Sequence, residues 1–324
     1  MRKIKQKSAS KGDFSKFINK EKKKSDVIFE KTEKSFPKKI KSIVDKELSK
    51  IKVEEKPIQQ KKPDIKPKIE VPKVDIKVEE EVTLNEPLKL NKFLAHAGLF
   101  SRRTAATIVK EGKVYVNNIK TDNPAYTVQP EDVVTFDGKI IKPESKKVYI
   151  LMNKPKNTIT TLSDEKGRKT VTEIIQPKYT QRIYPVGRLD RNTTGLLLLT
   201  NDGDLTTKLS HPSNKVKKIY LATLNQNIRE EELEKIKEGL ILEDGKAEVD
   251  EIVYNNGKKD EVIITIHIGK NRIVRRIFEH LGLEVVKLDR IYYAGLTKKD
   301  LPRGFFRDLT KEEVNMLLHF AVKK

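Results

Sequence analysis

The chain has 324 residues, enough for about two domains, with 36% hydrophobic residues, 35% charged residues and a formal net charge of +21. That charge favours a polyanion, either nucleic acid or an anionic membrane surface, and means that part of the chain is too polar to enter a core. Cysteine is absent, which excludes disulfides, thiolate nucleophiles and Cys-ligated metal centres and suits a reducing cytoplasm.

Residues 1–86 read as a disordered, Lys-rich tail. Stretches such as KPIQQKKPDIKPKIEVPKVDIKVEEE repeat lysine, proline and β-branched residues without a helical apolar stripe. KSIVDKELSKI within it reads as a transient helix. The N-terminus is basic but has no apolar core of a signal peptide, and no run approaches the roughly 18–20 apolar residues of a membrane span.

At Leu88 the pattern changes. LKLNKFLAHAGL sets Leu90, Phe93, Leu94 and Ala97 at helical spacing and ends at Gly98. Ser101 then stands as N-cap of a second helix, RRTAATIVKEG. KVYVNN reads as a short strand, and DVVTFDGKII as a hairpin turning at Asp137-Gly138. Residues 87–146 therefore form a compact unit of two helices and small strands. Lys89, Lys92, Arg102, Arg103 and Lys110 lie on or beside its helices and are candidate contacts to a polyanion, with Ser101 opening a helix whose N-terminus suits a phosphate.

Residues 147–324 read as a second domain. VYILMNKP is a buried strand stopped by Pro155, and GLLLLTNDGDL is a strand running into a turn. IYLATL, AEVDEIVYNN and DEVIITIHIG are further strands. REEELEKIKEGL and NRIVRRIFEHLG are helices, and a last helix opens at Thr310 with Glu313 completing a capping box. The class is α+β, with helices on a mixed, mainly antiparallel sheet.

The sequence has neither a P-loop nor a nucleophile elbow, and its five histidines form no HExxH pair, so no metal site is expected. Asp202 and Asp204 in NDGD fit a tight turn better than a calcium loop. Three segments carry possible chemistry. In GRLDRNTTGLLLLTNDGDL, Asp190 sits between Arg188 and Arg191, and an opposite charge beside a carboxylate favours its ionised form. In KKIYLATL, Tyr220 could stack on an extruded base. In GKNRIVRRIFEHLG, a helix starting near Asn271 would set Arg272, Arg275 and Arg276 on one face.

Taken singly, these segments fit a surface ion pair, a core tyrosine and a solvated helix face. Their order and wording together resemble the pseudouridine synthases that modify ribosomal RNA at single sites. LNKFLAHAGLFSRRTAATIVKEGKVYVNN resembles the S4 RNA-binding domain carried in front of such enzymes. The resemblance spans about Leu88 to Phe320.

It implies that Asp190 is the essential aspartate, that Tyr220 stacks against the target base and that Arg275 lies near the carboxylate. Arg188 belongs to the same motif, and Arg272 and Arg276 are expected RNA contacts. Ile273 departs from the glutamine common at that position. The implied reaction isomerises uridine to pseudouridine without metal or small-molecule cofactor, in large-subunit rather than small-subunit ribosomal RNA. The expected partner is ribosomal RNA or a pre-ribosomal particle, with no membrane, and the expected protein is a cytoplasmic monomer. Two other readings remain open at this stage: a ribosome-assembly factor that binds RNA without chemistry, and a glycosidase-like hydrolase. The hydrolase needs a second carboxylate near Asp190, and the three segments offer no strong candidate.

Overall fold

The computed structural model describes residues 86–320. The tail and its transient helix therefore lie outside the described residues, except for Glu86.

The front module runs β1 (Leu88–Lys89), α1 (Leu90–His96), α2 (Arg102–Lys110), β2 (Val114–Val116), β3 (Ile119–Thr121), β4 (Thr127–Val128), β5 (Val134–Phe136) and β6 (Lys139–Ile141). Ser101 caps α2 as expected, its hydroxyl accepting from the Thr104 amide at 3.0 Å. Asp137 and Gly138 both take positive φ at the β5–β6 turn, the geometry of a tight hairpin. The four-stranded sheet has the order β3-β2-β5-β6, and its buried face packs with Leu90, Phe93, Leu94, Ala105 and Val109 from the helices.

The second unit contains β7 (Tyr149–Lys154), α3 (Val171–Ile175), β8 (Tyr184–Pro185), β9 (Thr194–Thr200), α4 (Gly203–Ser210), β10 (Lys218–Leu224) and α5 (Glu230–Glu238). It continues with β11 (Leu240–Leu242), β12 (Gly245–Ala247), β13 (Glu251–Asn255), β14 (Lys258–Ile266), α6 (Ile273–Glu279), β15 (Val285–Tyr293), β16 (Leu296–Thr297), β17 (Phe306–Asp308) and α7 (Lys311–Phe320). Seven of these strands form the path β13-β14-β10-β15-β9-β7-β17. Along it only β9 and β15 pair in parallel, so the sheet is mixed and mainly antiparallel.

The leucine run of β9 lies at the centre. Leu197 and Leu199 join one core, whereas Leu196 and Leu198 join the other. A strand covered on both faces reads as an unbroken apolar run because successive side chains alternate between two dry environments. Gly195 opens this strand with φ +110, and a Cβ there would lie 2.3 Å from the Arg290 carbonyl oxygen and 2.5 Å from its nitrogen. Only glycine permits that approach of β9 to β15.

Three local expectations change. Asp202 does not sit in a plain turn: its carboxylate accepts from the amides of Asp204 and Leu205 and caps α4. AEVDEIVYNN is divided between β12 and β13. β15 was not anticipated, because Lys287, Asp289 and Arg290 interrupt its apolar pattern. At the last helix, the Thr310–Glu313 capping box forms as expected, with reciprocal bonds of 2.9 and 3.3 Å. The two units meet where Lys92 of α1 pairs with Asp204 of α4 at 2.6 Å.

Candidate active site

Asp190 lies on the loop joining β8 to β9. The loop turns through Gly187 at φ +73 and closes with the Thr193 amide donating to the Asp190 carbonyl at 3.0 Å. Leu189 is buried in the main core and anchors the segment. Asp190 borders a cavity of about 680 Å³ whose walls come from residues 159–168, 187–191 and 269–272.

The cation beside Asp190 is neither of its sequence neighbours. Arg188 and Arg191 are exposed, and Arg188 lines the cavity rather than pairing with the carboxylate. Arg275 of α6 instead brings its Nε to 3.9 Å from Asp190 Oδ2, while its Nη1 donates to the Val285 carbonyl at 2.6 Å. Its side chain is only 11% exposed, and its Nε is buried without a hydrogen-bond partner. Burial lowers the Arg275 pKa, with Arg272 acting in the same direction and Asp190 opposing. The guanidinium thus sits behind the cavity wall and faces the carboxylate, which is itself 37% exposed on the cavity side.

Tyr220, on β10, is 8% exposed and does not line the cavity. It belongs to the apolar cluster that also holds Leu189, Ile273 and Val274, so the three candidate segments converge on one core region. Ile273, at the position where glutamine is common, is buried there.

The expected arginine face of the last motif does not form. α6 begins at Ile273, and Arg272 adopts the left-handed conformation at φ 46 just before it. Arg272 borders the cavity and pairs with Glu279 at 3.1 Å. Arg276 donates twice to Asp244, at 3.0 and 2.8 Å, on the β11–β12 hairpin. Each arginine therefore has its own environment. In the front module, Lys89, Arg102, Arg103 and Lys110 are exposed as expected of RNA contacts. Lys92 is instead taken up by Asp204.

Two residues that hold the Asp190 loop were not anticipated. Lys154 is fully buried at the end of β7. Its ammonium donates to the carbonyls of Pro155, Asp190, Arg191 and Thr193 at 2.9–3.4 Å. A lysine closing an otherwise apolar strand, VYILMNKP, was the available sequence signal. Thr160 reaches the other side of the loop. Its hydroxyl donates to the Leu189 carbonyl at 2.8 Å and accepts from the Leu189 amide at 3.3 Å. No sequence pattern marked that contact.

Residues 148–280 match the family described as RNA pseudouridylate synthase, and residues 88–134 match the S4 domain. The ribosomal large subunit pseudouridine synthase B of Bacillus subtilis (strain 168) is 42% identical over 237 residues, covering 72% of this chain and 96% of the relative. An uncharacterized RNA pseudouridine synthase of Aquifex aeolicus (strain VF5) is 40% identical, with 71% and 93% covered. Among solved structures, a crystal structure of pseudouridylate synthase superposes with a TM-score of 0.52 at 27% identity, covering 71% of this chain and 99% of that one. With residues 148–280 matching RNA pseudouridylate synthase and a relative 42% identical over 96% of its own length, this chain belongs to the pseudouridine synthase family.

Proposed function

We propose that this protein isomerises a uridine of large-subunit ribosomal RNA, with Asp190 as the catalytic carboxylate. The observation carrying the assignment is the approach of Arg275 to Asp190 at the wall of the cavity. The likeness to the Bacillus subtilis large-subunit enzyme supports the choice of RNA.

The reaction breaks the N1–C1′ bond and joins C1′ to C5 of the same uracil. C5 loses a proton and N1 gains one, so nothing is oxidised or reduced. The target must first leave its stack, at a cost of a few kcal/mol. RNA contacts from Lys89, Arg102, Arg103 and Lys110 help to offset that cost. Asp190 then acts on the sugar or the base, by attack or by proton abstraction. Arg275 sets a buried positive charge behind Asp190, Tyr220 supports the site from the core it shares with Leu189, and Arg188 faces the RNA at the cavity mouth. Enclosure matters because water reaching the detached base would turn isomerisation into hydrolysis.

In this reading residues 87–146 are the RNA-binding unit and residues 147–324 the catalytic domain. The protein works as a monomer in the cytoplasm without a small-molecule cofactor; the absence of cysteine suits that compartment.

Mapping pseudouridine in ribosomal RNA from cells lacking the protein tests the proposal. One large-subunit site should be lost and should return with the wild-type gene, but not with Asp190→Ala or Asp190→Asn. Return of the site with either variant would remove Asp190 from the chemistry. A missing small-subunit site would overturn the choice of RNA.

A further inference from the structure

The cavity wall formed by residues 160–168 carries an acid where an RNA-binding cleft should avoid one. Asp164 is 8% exposed and is held by Arg168 through three bonds. Its Oδ2 accepts from the Arg168 amide at 2.8 Å and Nε at 3.1 Å, and its Oδ1 accepts from Nη2 at 2.7 Å. Gly167 turns the tip at φ +64 with no neighbouring atom within reach of a Cβ, so the tip projects into open space.

The base of this segment is fixed as firmly. Thr160 is clamped to the Leu189 backbone, Ile159 bridges to Thr170, and the Thr172 hydroxyl donates to the Leu162 carbonyl at 3.1 Å. The segment is therefore stitched directly to the loop that carries Asp190.

Electrostatics suggests what it meets. Six cations and three carboxylates line the cavity. Two of the carboxylates already face guanidinium groups: Asp164 faces Arg168 and Asp190 faces Arg275. Lys166 at the tip, and Arg188 and Arg191 across the cavity, have no carboxylate partner among the described residues. Such a set fits phosphate oxygens. A lip already in its bound shape also avoids the entropy cost of ordering a loop on binding.

We propose that residues 160–168 form a preorganised lip that grips backbone phosphates beside the target nucleotide, with Lys166 as a contact and Asp164 as the positioning residue. The proposal rests on the RNA-modifying function above. It makes a prediction opposite in sign to the one charge alone would make. Asp164→Asn removes one negative charge from the cleft, so charge alone predicts tighter RNA binding. Loss of the Arg168 brace predicts weaker binding.

The test uses the full chain and in-vitro transcribed, unmodified 23S ribosomal RNA. In an Asp190→Asn background, which separates binding from turnover, Asp164→Asn should weaken binding about five- to tenfold at fixed salt. Lys166→Gln should make the slope of log K against log salt shallower by about 0.7–0.9, the signature of one lost phosphate contact. In the active background, Asp164→Asn should raise KM and leave kcat within about twofold, and Asp164→Glu should recover part of the loss. Binding by Asp164→Asn as tight as the parent or tighter overturns the positioning role. An unchanged salt slope for Lys166→Gln, an exposed tip residue whose replacement leaves the core intact, overturns the phosphate contact. Absence of wild-type turnover on this RNA counts against the substrate assignment, whereas the binding slopes decide the lip separately.

Discussion

Replacing Lys154 by methionine removes the donor on which the Asp190 loop is built while keeping most of the side-chain volume. Four carbonyls lose a partner. Those of Asp190 and Arg191 keep a second donor, the amides of Thr193 and Asn157. The Pro155 and Thr193 carbonyls carry the larger cost. A buried acceptor left unsatisfied costs about 1–3 kcal/mol, so the two together cost about 2–6 kcal/mol. Deleting a buried ammonium recovers part of that, because its desolvation penalty disappears. The net loss should be about 2–4 kcal/mol, read as a lower urea midpoint at unchanged m. Catalysis should fall further. A displacement of the carboxylate by about 1 Å can cost about 100-fold in rate, so kcat should drop by that order while RNA affinity holds.

The pH dependence provides a second handle on Lys154. Burial pulls its pKa down to about 8, with the Asp190 charge opposing. A neutral amine has only two hydrogens for four acceptors, so kcat should decline above pH 8 through one ionisation. Global stability should move the other way. The folded pKa lies below the ordinary 10.5, so between pH 8 and 10.5 the unfolded chain binds more protons, and this group's contribution to stability rises with pH. Lys154→Met should lack both effects. A methionine variant with wild-type kcat, urea midpoint and alkaline limb would refute the argument that this lysine organises the catalytic loop.

Two other perturbations address the scaffold and the front module. Gly195→Ala forces a Cβ against the Arg290 backbone at a positive φ and should cost about 3 kcal/mol or more; thermal unfolding within a few degrees of wild type would refute the close-approach argument. Arg102→Ala with Arg103→Ala should weaken RNA binding and make its salt slope shallower without lowering stability, because both side chains are exposed. An unchanged slope would remove them from the RNA interface.

Three local features were legible because each closes within one turn. Ser101 with Thr104, Thr310 with Glu313 and the Asp137-Gly138 hairpin each bring their partners within a few residues. The β9 leucine run was equally plain, since continuous apolarity needs burial on both sides. The Asn-Asp-Gly stretch after it was ambiguous because a turn and a helix cap use the same aspartate bond to nearby amides. β15 escaped notice because Asp289 and Arg290 find their partners on other elements. The Arg290 guanidinium donates to the Leu196 carbonyl, and Asp289 accepts from Thr194 and pairs with Lys298.

By itself, the sequence determined the α+β class, and the order of its motifs singled out the segments proposed to carry chemistry, with Asp190 among them. Those features depend on composition, periodicity and motif order, all of which are linear. Only the tertiary structure decided which charge Asp190 meets. Adjacent residues on an extended loop can point apart, so Arg188 and Arg191 were poor guides, whereas the packing of α6 against the sheet brings Arg275 to the carboxylate. The same folding separated Arg272, Arg275 and Arg276 into three environments and placed Lys154 and Thr160 on opposite sides of the loop. Such contacts join residues far apart in the chain, and only the packed sheet sets their distances.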